Sequence, residues 1–377
     1  MGSHLNRRHF LKLPLAGALA CNLQAVSSKR FSFLLLGDLH LDKLEHHDMA
    51  WLEANKPDGI RAAQTYSQIT SEVMPQLMAS VRQTIVDRQE ADEEPVGCII
   101  QVGDFVQGLC GNLELATQHN EDAIQFIKQA DLGVPFLFTK GNHDITGDGA
   151  KEAYRNVFHP FLSSQARRFR ADADPLDRGF YTVQRGPVEF AFFDAYDPES
   201  LDWFEAVTEH RTAPHLFAII HPPVIPYGAR STWHLYARSD QRIRREKLLD
   251  LLGKQNAMVL GGHIHKYNLA ARKTRGGGRF VQLALSSVIK DPNVPPRNEL
   301  TGLKHYNADQ VKVEPTFSPG TEIERRAVYE KERPFVDRFE YANLPGYAVV
   351  TVKGAAVEVD IYSGVSRNRW RKVNLIG

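Results

Sequence analysis

A layered α/β fold is the class this chain predicts, on three observations. Strand-like and helix-like segments alternate from Phe31 to Phe138, the pattern of a sheet covered by helices. Five apolar, strand-like runs each end in Asp, Asn or His, residues that bind ligands at the carboxyl edge of such sheets. The chain has 377 residues, 42% of them hydrophobic and 24% charged, enough for one large core or two ordinary ones.

The N-terminus reads as an export leader over residues 1–28. Asn6 to Lys12 carries Arg7-Arg8, and Leu13 to Ala20 is apolar apart from Pro14. Ala18-Leu19-Ala20 then supplies small residues before Cys21. Basic, apolar and small-residue regions in that order form a signal peptide, and Arg-Arg-x-Phe-Leu-Lys is similar to the twin-arginine type. The expected location is therefore the periplasm, with lipid anchoring through Cys21 as a lesser alternative. The apolar run is far shorter than the roughly 20 residues a membrane span needs. Residues 29–377 are expected to form one catalytic domain.

The first strand-like run, Phe31 to Leu36, ends in Gly37-Asp38-Leu39-His40. Residues 42–58 read as a polar loop, with His46 and His47 expected on its solvated surface. Ile69, Val73, Leu77, Val81 and Ile85 recur every fourth residue, the stripe of an amphipathic helix that Pro75 should interrupt. Val96 to Val102 leads into Gly103-Asp104. Leu113 to Ala130 is helix-like, and Val134 to Phe138 leads into Thr139-Lys140-Gly141-Asn142-His143-Asp144. Gly179 to Arg185 and Val188 to Phe193 flank Gly186-Pro187 as a hairpin. Leu216 to Ile220 ends in His221, and Met258 to Leu260 in Gly262-His263-Ile264-His265. Arg242 to Leu252 reads as a helix and Phe280 to Leu285 as a strand. The proline-rich stretch 286–345 reads as a loop insertion with a short helix near Glu322 to Lys331. Tyr347 to Val352 and Ala356 to Tyr362 read as a closing hairpin.

Charge and cysteine content exclude other classes. The formal net charge is +1, so no overall field recruits a nucleic-acid polymer or an acidic membrane. Cys21, Cys98 and Cys110 have neither metal-finger spacing nor a disulfide framework.

Asp-x-His, Gly-Asp, Gly-Asn-His-Asp, a lone His and Gly-His-x-His, in that order, resemble the calcineurin-like metallophosphoesterase family. The resemblance spans about Phe31 to Ser286. It implies a four-layer α/β/β/α sandwich and a dinuclear metal centre of Fe, Mn, Zn or Co, ions that suit carboxylate, imidazole and amide ligands. In the family pattern Asp104 bridges the ions. Asp38, His40 and His265 complete one site; Asn142, His221 and His263 complete the other. His143 is implied to face the substrate as a phosphate ligand or a leaving-group acid, and Asp144 to support the ligands from behind. The implied reaction is phosphoester hydrolysis by a metal-activated hydroxide.

Departures narrow the branch. The run after Asp104 is Phe105-Val106-Gln107, without the Asp-Arg pair of protein phosphatases, and Asp144 stands where those enzymes have Glu. Gln107 occupies the position of the purple acid phosphatase tyrosine. The remainder resembles the cyclic-nucleotide phosphodiesterase branch. A phosphodiester is expected in preference to a monoester, because that neutral run offers no second cation. Lys140, Arg230 or Lys266 would be the residues to supply one. The alternatives are a phosphomonoesterase or nucleotide phosphatase and, more distantly, a non-catalytic scaffold, although no ligand of the pattern is missing. Phe105, Tyr227, Arg230 and Trp233 are candidate substrate contacts. The loop holding the last three can either stack on a small phosphoester substrate or pack on itself. Taken alone, His159, His215 and His234 read as structural.

Overall fold

The computed structural model describes residues 30–91, 93–228, 231–307 and 321–376. The leader with Cys21, and Arg230, lie outside them. Fourteen strands are described: β1 Arg30–Leu36, β2 Val96–Gln101, β3 Phe136–Phe138, β4 Tyr181–Arg185, β5 Val188–Phe193, β6 His215–Ile220, β7 Met258–Gly261, β8 Tyr267–Lys273, β9 Arg279–Ala284, β10 Arg297–Thr301, β11 Val336–Asn343, β12 Gly346–Lys353, β13 Ala356–Ser363 and β14 Arg369–Asn374. They form a six-stranded sheet ordered β14-β13-β12-β1-β2-β3 and an eight-stranded sheet ordered β10-β11-β8-β9-β7-β6-β5-β4.

The two sheets face each other, with helices on their outer sides. Alternation along β6 shows why its six residues are all buried. Phe217 and Ile219 join the core that also holds Phe33 and Leu35 of β1. Leu216, Ala218 and Ile220 turn the other way, toward Leu201 and Phe204 of helix Ser200–Glu209 and Leu248 and Leu252 of helix Arg242–Lys254. A strand covered on both faces reads as an unbroken apolar run. Phe33 meets Phe190 and Phe217 across the interface edge-on, ring centres 5.0 Å apart in each case, a favoured aromatic geometry. Helices Pro57–Glu72, Met74–Glu90 and Leu113–Gln129 bury Ile69, Leu77, Val81, Ala123 and Ile127 in the same core as β1.

Parallel pairing of β1, β2 and β3, and of β5, β6, β7 and β9, brings many carboxyl ends to one edge. That edge carries the site.

Three expectations need correction. Residues 42–58 are not one loop: Asp48 caps a helix, Met49–Asn55, by accepting from the Trp51 backbone N–H. His46 and His47 are buried, not solvated. The interruption expected at Pro75 is present: the stripe is two helices, because Pro75 lacks the N–H a continuous helix needs and instead opens the second one. The stretch 286–345 contributes β10 and β11 to the larger sheet, as well as helix Glu322–Glu332. β8 and β14 had no assignment from sequence at all. Glu340 shows why β11 reads poorly: it is a buried charge, held by Arg338, Arg371 and Tyr267.

Candidate metal centre

Five strand ends deliver the donor groups. Asp38 and His40 follow β1, Asp104 follows β2, and Asn142 follows β3. His221 follows β6, and His263 and His265 follow β7. Ligand atoms of Asp38, His40, Asp104 and His265 lie within 4.8 Å of one another, and so do those of Asp104, His221 and His263. Asp104 belongs to both groups. Asn142 Oδ1 stands 2.9 Å from His263 Nδ1 and 3.3 Å from His221 Nε2, which puts it with the second group.

The hydrogen positions their partners dictate fit cations. A carbonyl or amide oxygen only accepts, so His40 Nδ1 donates to Gln107 Oε1 (2.8 Å) and His221 Nδ1 donates to the Val102 carbonyl (2.9 Å). The other nitrogen of each neutral ring then presents a lone pair to the centre. His40 Nε2 faces His265 Nε2 at 3.0 Å, and His221 Nε2 faces Asp104 Oδ2 at 3.2 Å. Asp38 Oδ2 is buried without a hydrogen-bond partner. Converging lone pairs of this kind repel one another unless a positive charge lies among them.

Electrostatics point the same way. Burial, reinforced by neighbouring histidines, pushes His40 and His263 down to about 3 and His265 well below its ordinary value, which leaves the rings neutral and able to ligate. Burial raises Asp38 to about 7 against the pull of His221. For His221 burial works downward, but Asp104, Asp38 and the Val102 carbonyl outweigh it and hold the ring up at about 9. Asp104 lies well below its ordinary value, because His221 and His143 overcome its burial. That pair therefore shares a proton in a metal-free site, and a cation bound there would displace it.

The loops are built for this convergence. His40, Asp104, His263 and His265 all have positive φ, between 47° and 69°. Such left-handed backbone is unfavourable for residues with side chains and clusters at functional sites. Gly141 has no alternative: an added Cβ would lie 2.1 Å from the Asp104 nitrogen. Asp144 lies beneath the candidate ligands and accepts from the backbone N–H groups of Asp104, Val106 and Gly141, at 3.1, 3.0 and 2.7 Å. Burial and the Asp104 charge raise it to about 6 against those hydrogen bonds.

His143 lines a cleft of about 400 Å³ together with Tyr66, Asp104, Asn142, Ser231 and Lys290. Its Nδ1 donates to the Gln107 carbonyl at 2.9 Å and its backbone N–H to Asp104 Oδ1 at 2.8 Å. An adjoining cavity of about 350 Å³ shares His265, Val288 and Lys290 and continues to Arg297. A larger cavity, of about 1220 Å³, runs along helices Pro57–Glu72 and Met74–Glu90 and is lined by none of these histidines.

Candidate substrate contacts divide. Trp233 is 38% exposed and stands 4.8 Å from the His263 ring, at the site. Phe105 is placed otherwise: it is fully buried and stacks on Phe138 at 4.8 Å, a core residue on the far side of its strand end. Tyr227 is also fully buried, its hydroxyl toward the Gly262 carbonyl. Lys140 does not offer a spare charge, because it is paired with the buried Asp194. Lys266 is buried. Sequence reasoning missed Tyr66, which stacks on His40 at 4.5 Å, and Lys290. It also missed the role of Gln107, which positions both His40 and His143. The place of Gln107, three residues after Asp104, was the available signal.

The family model for calcineurin-like phosphoesterases matches residues 31–267, and the chain belongs to that family. Among solved structures, a dimetal phosphatase from Danio rerio is similar at TM-score 0.51 and 12% identity, over 92% of this chain and 98% of that one. A purple acid phosphatase from yellow lupin (Lupinus luteus) seeds is similar at TM-score 0.49 and 11% identity, over 92% of this chain and 54% of that one. This chain thus spans about half the length of the lupin protein. No curated protein matches the chain.

Proposed function

We propose that the chain hydrolyses a small phosphoester, with Asp38, His40, Asp104 and His265 holding one ion and Asp104, Asn142, His221 and His263 a second. The observation that carries this reading is the sharing of Asp104 between two donor groups at the floor of a cleft. Ions in such a pair supply Lewis acidity toward phosphoryl oxygen and lower the pKa of water toward neutrality. His143 is held by two hydrogen bonds through Nδ1 and its backbone, which leaves Nε2 to bind a phosphoryl oxygen or protonate the departing oxygen.

A diester is the preferred substrate, in keeping with the resemblance to the cyclic-nucleotide phosphodiesterase branch. Aromatic rings flank the centre on two sides, Tyr66 against His40 and Trp233 against His263, and each offers a surface for an organic substituent. Lys290 is the described cation of the cleft. The test compares bis(p-nitrophenyl) phosphate with p-nitrophenyl phosphate on metal-loaded protein. A kcat/KM favouring the monoester by about tenfold, or ~1.4 kcal/mol in the barrier, overturns the preference. Activity on neither favours a narrow natural substrate or the scaffold alternative, which a panel of nucleotides and glycerophosphodiesters separates.

Residues 1–28 support an exported, periplasmic enzyme acting on scavenged phosphoesters. Among the described residues no helix is long and apolar enough to cross a membrane.

A further inference from the structure

A second cluster of metal-type donors lies apart from the seven ligands. Asp42, His47 and His119 are buried, and their ligand atoms lie within 4.8 Å of one another. They come from three segments: the loop after β1, the turn before helix Met49–Asn55, and helix Leu113–Gln129.

The hydrogen positions do not balance without an added charge. His47 Nδ1 faces the Leu109 carbonyl at 3.1 Å and must donate to it. Neutral His47 then turns the lone pair of Nε2 toward Asp42 Oδ1, 2.8 Å away, an acceptor against an acceptor. Asp42 Oδ2 is buried with no hydrogen-bond partner. His119 Nε2 lies 3.7 Å from Asp42 Oδ1 and 2.8 Å from the Leu41 carbonyl, while its Nδ1 lies 3.0 Å from Cys110 Sγ. In the metal-free ring His119 Nε2–H donates to the Leu41 carbonyl; a bound ion would move that hydrogen to Nδ1, against sulfur, and add the Nε2 lone pair to the cluster. The remaining nitrogen of each ring is then held from behind, by Leu109 and Cys110, in the way that orients metal-binding histidines.

We propose that His47 Nε2, His119 Nε2, the Asp42 carboxylate and the Leu41 carbonyl hold a third, structural divalent cation of the zinc type. Two imidazoles and two oxygens suit zinc, and four protein donors leave no open position for chemistry. The ion would tie helix Leu113–Gln129 to the loop that carries His40. It would thereby brace one wall of the dinuclear centre without touching substrate.

Zinc itself is the probe. The protein is stripped with a chelator and reloaded. Zinc per chain is measured by elemental analysis, and the ions are located by anomalous diffraction from loaded crystals. Three ions per chain are expected, with one anomalous peak among Asp42, His47 and His119. His119→Gln and Asp42→Asn should each lower the count to two and leave the peaks at Asp104 unchanged. Anomalous density confined to the Asp104 centre overturns the proposal and assigns the missing charge to a proton on His47. Variants that keep three ions overturn it as well. If either variant fails to fold, the wild-type map alone decides, independently of whether the Asp104 centre is catalytic.

Discussion

Asp144 gathers three backbone hydrogens from two loops, so its carboxylate sets where Asp104 and Gly141 lie. Asp144→Ala strands those buried donors. Each unsatisfied group costs about 1–3 kcal/mol, and the variant should show a lower melting temperature together with weaker metal retention. His143 makes a different prediction, because its side chain bonds only the Gln107 carbonyl and lines the cleft. If it protonates the leaving group, His143→Gln should slow alkyl phosphoesters by about 10²–10⁴ while barely affecting nitrophenyl esters, with the metal content unchanged. Equal losses on both substrates would assign it to phosphate binding instead. Residues at this scale were legible where a motif names them. Tyr66 was not, because stacking on His40 leaves no spacing to read, and Gln107 showed its place after Asp104 but not its task of orienting His40 and His143.

Elements were legible in proportion to the purity of their pattern. β1 and β6 read clearly because each is covered on both faces. β11 did not, since its Glu340 and Arg338 pair within the sheet. Helix Glu322–Glu332 illustrates how such charges are made tolerable. Thr321 and Glu324 form a capping box at its start, and Glu332 at its end lies between Arg245 (2.7 Å) and Arg272 (2.8 Å). Burial alone would raise Glu332, but the two guanidinium groups outweigh it and hold the carboxyl below its ordinary 4.5. A group with a depressed folded-state pKa stabilises above its unfolded value and loses that contribution as pH falls through the folded one. The wild type should therefore lose stability below about pH 4.5 partly through this residue. Glu332→Gln strips that acid dependence and costs about 3–5 kcal/mol near neutral pH, measured by chemical denaturation.

The molecule as a whole is joined at the metal edge, where three strand ends of the smaller sheet meet two of the larger. Ions bound there stabilise only the folded chain. Chelation should lower the melting temperature by the equivalent of about 2.7 kcal/mol per ion present at a hundred times its dissociation constant. A melting curve indifferent to chelator would refute a bound centre. Export gives a separate check: Arg7→Lys with Arg8→Lys should hold the protein in the cytoplasm, and unchanged secretion would exclude the twin-arginine route. Sheet order carries one more consequence, for synthesis. β1 lies between β2 and β12, so its second edge pairs with Gly346–Lys353, residues made long after it. At about 5–20 residues per second, the ribosome needs roughly 15–65 s to travel from Arg30 to Lys353. Throughout that interval the largely apolar β1 keeps one side bare. A nascent chain of this design needs chaperone cover on β1 until β12 emerges, and ribosome-bound chains ending before Gly346 should aggregate where chains extending past Lys353 do not.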